Sequence, residues 1–384
     1  MELKNLFSPG KIGNVRIKNR IVRSATFEGR ALKGGFVSDE LVDFYADLAR
    51  GGVGLIISGF IAIDPSGTIS PYQACLYDDG VISGQKKLIN AIHEYPDVKI
   101  AAQLGHSGWQ GTHPKFHPIA PSPVPCDLTG LIPREMTTDE IISYVQRFVD
   151  ATRRAFESGY DMVQLHAAHG YLLSNFVSPY TNRRTDEFGG NSQKRAKILV
   201  DIYEGIREEL GNNFPITIKL QTQDFIPNGL TLEEGVKIAK ILVDTGYDAI
   251  EPSGGGGLAL IGSKDTYPSL KIKSPDGENY FLPMVKKLRP TTKICPLILM
   301  GGIKDPVFAE KVLKEKIADF IAMSRPFIYE SNLPNRWMNG DLSPAKCTSC
   351  NSCYMTAFPG PVYCVVKKKL DNKKSKKEGK LKQK

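Results

Sequence analysis

No apolar run in this 384-residue chain approaches membrane-spanning length. Its opening, Met1-Glu-Leu-Lys-Asn-Leu-Phe-Ser-Pro-Gly10, holds no hydrophobic segment of a secretory signal, so a cytosolic protein is expected. Histidine is scarce at six residues, and no His-Glu-x-x-His pair marks a zinc-hydrolase helix. No Gly-x-Gly-x-x-Gly follows the first apolar run, which argues against an open dinucleotide-binding sheet. Basic excess is lacking over most of the chain as well. The formal charge is +9, but ten Lys against one Asp and one Glu between Val365 and Lys384 account for nearly all of it. The body therefore offers no broad cationic face for specific nucleic-acid binding. Residues 367–384 are expected as a disordered, solvated tail that could attract an acidic partner.

What is present is an alternation. Eight apolar runs of strand length occur at Arg20–Ser24, Val53–Ser58, Val98–Leu104, Met162–His166, Ile216–Leu220, Ala249–Glu251, Pro296–Met300 and Asp319–Met323. Near-continuous hydrophobicity is the mark of parallel strands buried on both faces. Helical patterns separate them, at Asp39–Arg50, near 81–95, Thr137–Ser158, near 193–210, Thr231–Thr245, near 278–288 and near 305–315. Thr137 with Glu140 and Thr231 with Glu234 have the spacing of capping boxes, and Gly159 and Gly246 stand as stops. Ser158-Gly-Tyr-Asp-Met-Val163 and Thr245-Gly-Tyr-Asp-Ala-Ile250 nearly repeat one another as helix, stop and strand. Eight such units predict an α/β fold, a closed (β/α)₈ TIM barrel with a C-terminal Cys-rich extension. The divisions expected are a barrel over 1–340, a Cys-rich segment over 341–366 and the tail. Two long loops, 105–133 with six prolines and 167–191, follow strands and should lie over one barrel face.

That face should carry the chemistry. His166, His169 and Tyr171 cluster just past the fourth run, close enough to enter one pocket. Gly301 and Gly302 after the seventh run and Arg325 after the eighth suit a phosphate, since glycine lets backbone N–H groups approach and arginine adds a forked charge. Lys219 sits inside an apolar run, where an unpaired ammonium is costly, so it could neutralise an anionic cofactor. Gln103 ends the third run with a donor and an acceptor suited to a heteroaromatic edge.

These pieces resemble the Old Yellow Enzyme family of FMN-dependent NAD(P)H:flavin oxidoreductases. The matching stretches are Leu6-Phe-Ser-Pro-Gly-Lys-Ile-Gly13, Lys18-Asn-Arg-Ile-Val22, Gln103-Leu-Gly-His-Ser-Gly108, His166-Ala-Ala-His-Gly-Tyr-Leu172, Ser178-Pro-Tyr-Thr-Asn-Arg-Arg-Thr-Asp186 and Phe188-Gly-Gly190. The resemblance implies FMN at the barrel mouth, contacted by Ala25, Thr26, Gly59, Gln103 and Lys219, with its phosphate at Gly302, Ser324 and Arg325. It implies that His166 and His169 hold a substrate carbonyl and that Tyr171 donates a proton. The implied reaction is NAD(P)H-dependent reduction of the C=C bond of an α,β-unsaturated carbonyl.

Cys347, Cys350, Cys353 and Cys364 read C-x₂-C-x₂-C-x₁₀-C, while Cys75, Cys126 and Cys295 are scattered. In a cytosolic chain such crowding suggests a metal or cluster rather than disulfides. It resembles the [4Fe–4S] segment of the 2,4-dienoyl-CoA reductase and trimethylamine dehydrogenase branch, with shorter spacings before the third and fourth cysteines. Zinc and plain thiols are the alternatives. Relatives in that branch continue into nucleotide-binding domains, which are not expected here. A second functional reading is a flavin and iron–sulfur electron-transfer module served by a separate redox partner. A zinc hydrolase using His166 and His169 lacks a third ligand.

Overall fold

The computed structural model describes residues 2–256, 269–292, 294–357 and 360–381, with side chains described to residue 376. All eight expected strands are present: β1 Ile21–Arg23, β2 Leu55–Ile57, β3 Lys99–Gly105, β4 Met162–Ala167, β5 Ile216–Gln223, β6 Ala249–Gly254, β7 Ile298–Leu299 and β8 Phe320–Met323. Each pairs in parallel with its sequence neighbour, and β8 pairs with β1. A parallel bridge from Ile250 to Leu297 joins β6 to β7 and completes the ring.

The repeated Gly-Tyr-Asp junctions have a physical cause. Gly159 and Gly246 take φ of 92° and 116°, the left-handed region that ends a helix cheaply only at glycine. Each following aspartate accepts an N–H at the start of the neighbouring strand. Asp161 takes Ile100 N–H at 2.9 Å and Asp248 takes Ile216 N–H at 2.8 Å. Asp319 does the same for Leu297 at 2.8 Å. Buried N–H groups at the barrel's lower rim are thereby satisfied. Thr137 and Glu140 form the expected capping box at the head of helix Thr138–Glu157.

An N-terminal hairpin, Gly10–Ile12 with Val15–Ile17, closes the barrel floor. Ile12 and Ile17 pack with the barrel residues Leu55, Ala101, Met162, Ala249 and Phe320. Above that apolar layer the residues two steps further along β3 to β6 become polar: Gln103, Gln164 and Glu251, with Lys219 beside them. The sequence period of two thus sorts one barrel interior into an oily floor and a polar upper half.

The proline-rich loop is a small subdomain. Ile119–Ala120 and Arg134–Glu135 pair within it, and Trp109 donates to Val124 O at 2.6 Å. In place of the disordered tail that the composition predicts, Val365–Leu381 is a helix. Lysine and leucine are good helix formers, and the first proline-free stretch after Pro361 lets them act. Lys367 to Lys376 are exposed, and the end of the tail lies outside the described residues. Among the described residues no helix is long and apolar enough to cross a membrane.

Candidate active site at the barrel mouth

β4 carries His166 to the barrel mouth, and the following turn brings back His169 and Tyr171. The His166 ring lies 5.2 Å from that of His169 and 4.9 Å from that of Tyr171, centroid to centroid. Phe60 stacks beside Tyr171 at 4.9 Å. His169 adopts a left-handed φ of 67°, unusual for a residue with a side chain. Three contacts hold it there. Its N–H donates to Gln221 Oε1 at 2.9 Å, its carbonyl accepts from Gln110 Nε2 at 2.7 Å, and Ser253 Oγ meets its Nε2 at 2.7 Å. A side chain on Gly256 would strike the His169 backbone.

Both imidazoles are neutral at physiological pH. Burial, then the charges of His169 and Lys219, holds His166 well below its ordinary value. Burial, then Lys219, brings His169 down to about 3. His166 Nδ1 is buried and has no partner in the protein. A neutral imidazole with an orphaned nitrogen is prepared to bond a ligand atom. Burial, followed by the nearby Tyr354, raises the phenol of Tyr171, so it stays protonated.

Lys219 is not an isolated ammonium. It lies 3.1 Å from Glu251 Oε1, its register partner across β5 and β6, and donates to Ser24 Oγ at 2.8 Å. Gln164 Nε2 donates to Glu251 Oε2 at 2.9 Å, and Gln103 Nε2 donates to Gln164 Oε1 at 2.7 Å. The lysine charge is therefore largely offset, and the Gln103 amide nitrogen is engaged within the protein. The motif reading missed Glu251, Gln164, Gln221 and Ser253. Only Glu251 left a signal, as a lone carboxylate in an apolar run.

One cavity is lined by Ala25, His169, Lys219, Gly301, Gly302, Ser324 and Arg325, so most of the expected flavin contacts converge. Thr26 joins them through its hydroxyl, 2.6 Å from Ser324 Oγ. The two glycines have φ of 106° and 81°, and side chains there would overlap Phe281, Tyr280 and Ile272. Gly59 stands apart. Its N–H donates to Glu28 Oε1 at 2.6 Å, and any side chain would displace that carboxylate. Glu28 in turn pairs with buried Arg23 at 3.3 Å and with the Tyr45 hydroxyl. Glycine at 59 is thus explained by a buried ionic network.

Ser66, His106 and Asp64 look like a nucleophile, base and orienter, and the hydrogen bonds exclude it. Gly108 N–H donates to His106 Nδ1 at 2.9 Å, so the ring proton is on Nε2, which donates to Ser66 Oγ at 2.9 Å. That imidazole cannot take a proton from Ser66.

The four C-terminal cysteines line a second, smaller cavity together with Arg325. Burial first, and then the neighbouring Cys364 and Cys350, raise Cys347, with Arg325 opposing. Among the described residues no group of three or more His, Cys, Asp or Glu closes on a single metal ion.

Comparison with known proteins places this geometry. Residues 5–341 match the family described as NADH:flavin oxidoreductase / NADH oxidase. The NADH oxidase of Thermoanaerobacter brockii is 39% identical over 352 residues, covering 90% of this chain and 53% of that protein. The 4,4'-dithiodibutanoate disulfide reductase of Rhodococcus erythropolis is 32% identical, covering 95% of this chain and 96% of that one. A 2-naphthoyl-CoA reductase solved with 2-naphthoyl-CoA superposes with a TM-score of 0.87 at 28% identity, covering 94% of this chain and 57% of the solved one. The chain thus spans about half the length of the NADH oxidase and of the solved reductase.

Proposed function

The chain belongs to the NADH:flavin oxidoreductase / NADH oxidase family, and on that premise we propose that it is an FMN-dependent, NAD(P)H-consuming reductase of α,β-unsaturated carbonyl compounds. The observation that carries this is the neutral His166–His169 pair, with the unpartnered Nδ1 of His166 beside Tyr171 at the barrel mouth. The cradle fits the cofactor. Ser324, Arg325 and the backbone of Gly301 and Gly302 would hold its phosphate, and Ala25, Thr26 and the Lys219–Glu251 pair would lie toward its ring. Gln103 would reach it through its carbonyl oxygen, and Gly59 would contribute through the Glu28 network behind it.

Bound FMN would supply a hydride, taken from NAD(P)H, to the β-carbon of the alkene. His166 and His169 donate N–H bonds to the carbonyl oxygen, where negative charge gathers, and need no protonation change to do so. Tyr171, protonated at neutral pH, delivers the proton to the α-carbon. Gln221 and Ser253 keep His169 in its left-handed turn so that both imidazoles face the same oxygen. Support for a conjugated carbonyl comes from the reductase solved with a naphthoyl thioester.

Cys347, Cys350, Cys353 and Cys364 would hold a [4Fe–4S] cluster, the larger of the centres that their spacing permits. A second reading, an electron-transfer module with a separate redox partner, is favoured by one observation. The lysine helix Val365–Leu381 begins directly after Cys364, beside the cysteine cavity, where an acidic carrier could dock. A cytoplasmic setting, which keeps thiols reduced, agrees with both.

The test is anaerobic reduction of the purified protein by NADH and by NADPH, followed by mixing with 2-cyclohexenone. Bleaching of a flavin spectrum and its return with saturated ketone formation is expected. Bleaching that the enone does not reverse, while a disulfide or an iron–sulfur carrier does, would refute the carbonyl reading in favour of another acceptor.

A further inference from the structure

We infer that Arg325 is a positioning residue that couples the flavin cradle to the cysteine cavity by fixing the backbone of the loop from Cys347 to Cys353. This rests on the flavin reading proposed above. Arg325 lines both cavities and forms the wall between them. Its Nη1 donates to Ser349 O at 3.2 Å, to Asn351 Oδ1 at 2.6 Å and to Leu270 O at 2.8 Å. The first two acceptors belong to the two residues that flank Cys350.

Those two residues are also the strained ones. Ser349 and Asn351 have φ of 54° and 61°, in the left-handed region that side chains other than glycine's disfavour. Two left-handed residues within three positions fold the loop back on itself and turn Cys347, Cys350 and Cys353 toward the space that Cys364 completes. Asn351 is held a second time, donating Nδ2 to Ser269 O at 2.6 Å, and Ser269 lines the cradle. The contacts that keep the loop in its strained shape therefore come from the cradle side.

An anion in the cradle would order the Arg325 side chain, and the same ordered guanidinium grips the loop. A second ligand in the cysteine cavity then meets a loop whose ordering cost has already been met, so each site favours the other. Arginine suits this because its planar fork can serve the phosphate through one edge and the loop through another, which a lysine ammonium cannot do.

The experiment measures thiol reactivity, which requires no turnover. Protein freed of flavin and metal under anaerobic conditions is treated with iodoacetamide, and alkylation of Cys347 and Cys353 is timed by peptide mass spectrometry with and without saturating FMN. FMN is expected to slow alkylation about 10-fold in the wild type, within the usual range of site coupling. In Arg325→Lys, brought to saturation at higher FMN, the slowing should vanish. Should Arg325→Lys fail to fold, Asn351→Ala keeps the arginine, removes its closest loop acceptor and should lose most of the protection. Equal protection in the wild type and in either variant would overturn the coupling and mean direct shielding by the flavin. FMN bound without any protection overturns the coupling alone, whereas a wild type that binds no FMN overturns the flavin reading and the coupling together.

Discussion

The barrel-mouth residues and the C-terminal cysteines of this protein are held in different ways. His166, Lys219 and Glu251 stand on β4, β5 and β6, and strand register alone places them side by side. Their surroundings are buried and bonded before any ligand arrives. Cys347 and Cys350 stand on a segment with no regular structure from Asp341 to Asn351, Cys353 stands in the turn just beyond it, and Cys364 stands directly before the helix Val365–Leu381. Up to Lys346 the segment is bonded to Lys304, Glu330, Arg336 and Trp337, and from Cys347 to Asn351 it is held by Arg325 and by the bond from Asn351 Nδ2 to Ser269 O. A site built on strands is preformed, and a site built on a strap takes its order from what it binds. The barrel-mouth half should therefore report on global stability, and the thiol half on ligand occupancy.

The most damaging way to test that contrast is Glu251→Ala. It strands a buried ammonium at Lys219, and removing one partner of a buried pair costs on the order of 3–5 kcal/mol. A large drop in the urea midpoint of the ligand-free protein is expected, while Cys353→Ala should shift it by less than about 1 kcal/mol. Similar losses from the two variants would erase the distinction.

A milder probe is pH. His106, brought to about 4 by burial, and His166 and His169 all resist protonation in the fold. An unfolded histidine takes its proton near pH 6.5, so below that pH the unfolded chain binds protons that the folded one refuses. Stability should be level above about pH 7 and fall as pH drops toward 4, by at most about 1.4 kcal/mol per unit for each histidine. A thermal melt series in the ligand-free protein checks the sign. Flat stability from pH 7 to pH 4.5 would mean that the mouth imidazoles are already protonated or exposed.

Much of this contrast could be read in the sequence, and the reason is physical. Parallel strands buried on both faces appear as apolar runs, so all eight were visible, as were Thr137 with Glu140 and the Gly-Tyr-Asp junctions. His166, His169 and Tyr171 stood close in sequence and fold together. Residues that meet only through register were hidden. Glu251 is 32 positions from Lys219, and nothing local announces that they face each other. Gln221 and Ser253 reach His169 for the same reason. Gly59 was legible as a small residue but not as the neighbour of Glu28, because the carboxylate comes from another loop. The lysine tail misled through composition. Charge suppresses a packed core, but helix propensity survives it.

The smallest expected effect separates strain from contact within the strap. Asn351 holds a left-handed φ of 61° and contributes a side chain to Arg325 and Ser269. Asn351→Gly deletes the side-chain contacts but makes the backbone conformation easy, whereas Asn351→Ala deletes the contacts and raises the cost of that conformation by about 1 kcal/mol. Neither change reaches the barrel core, so both melting temperatures should stay within a degree or two of the wild type, in contrast to Glu251→Ala. Thiol alkylation should rank them differently, with Cys353 fastest in Asn351→Ala, slower in Asn351→Gly and slowest in the wild type. If the glycine variant matches the wild type, backbone conformation alone sets the loop and the Arg325 contact is incidental. If the alanine variant melts several degrees lower, the strap is part of the barrel's cooperative unit, and the division between a preformed site and a ligand-ordered one does not hold for this protein.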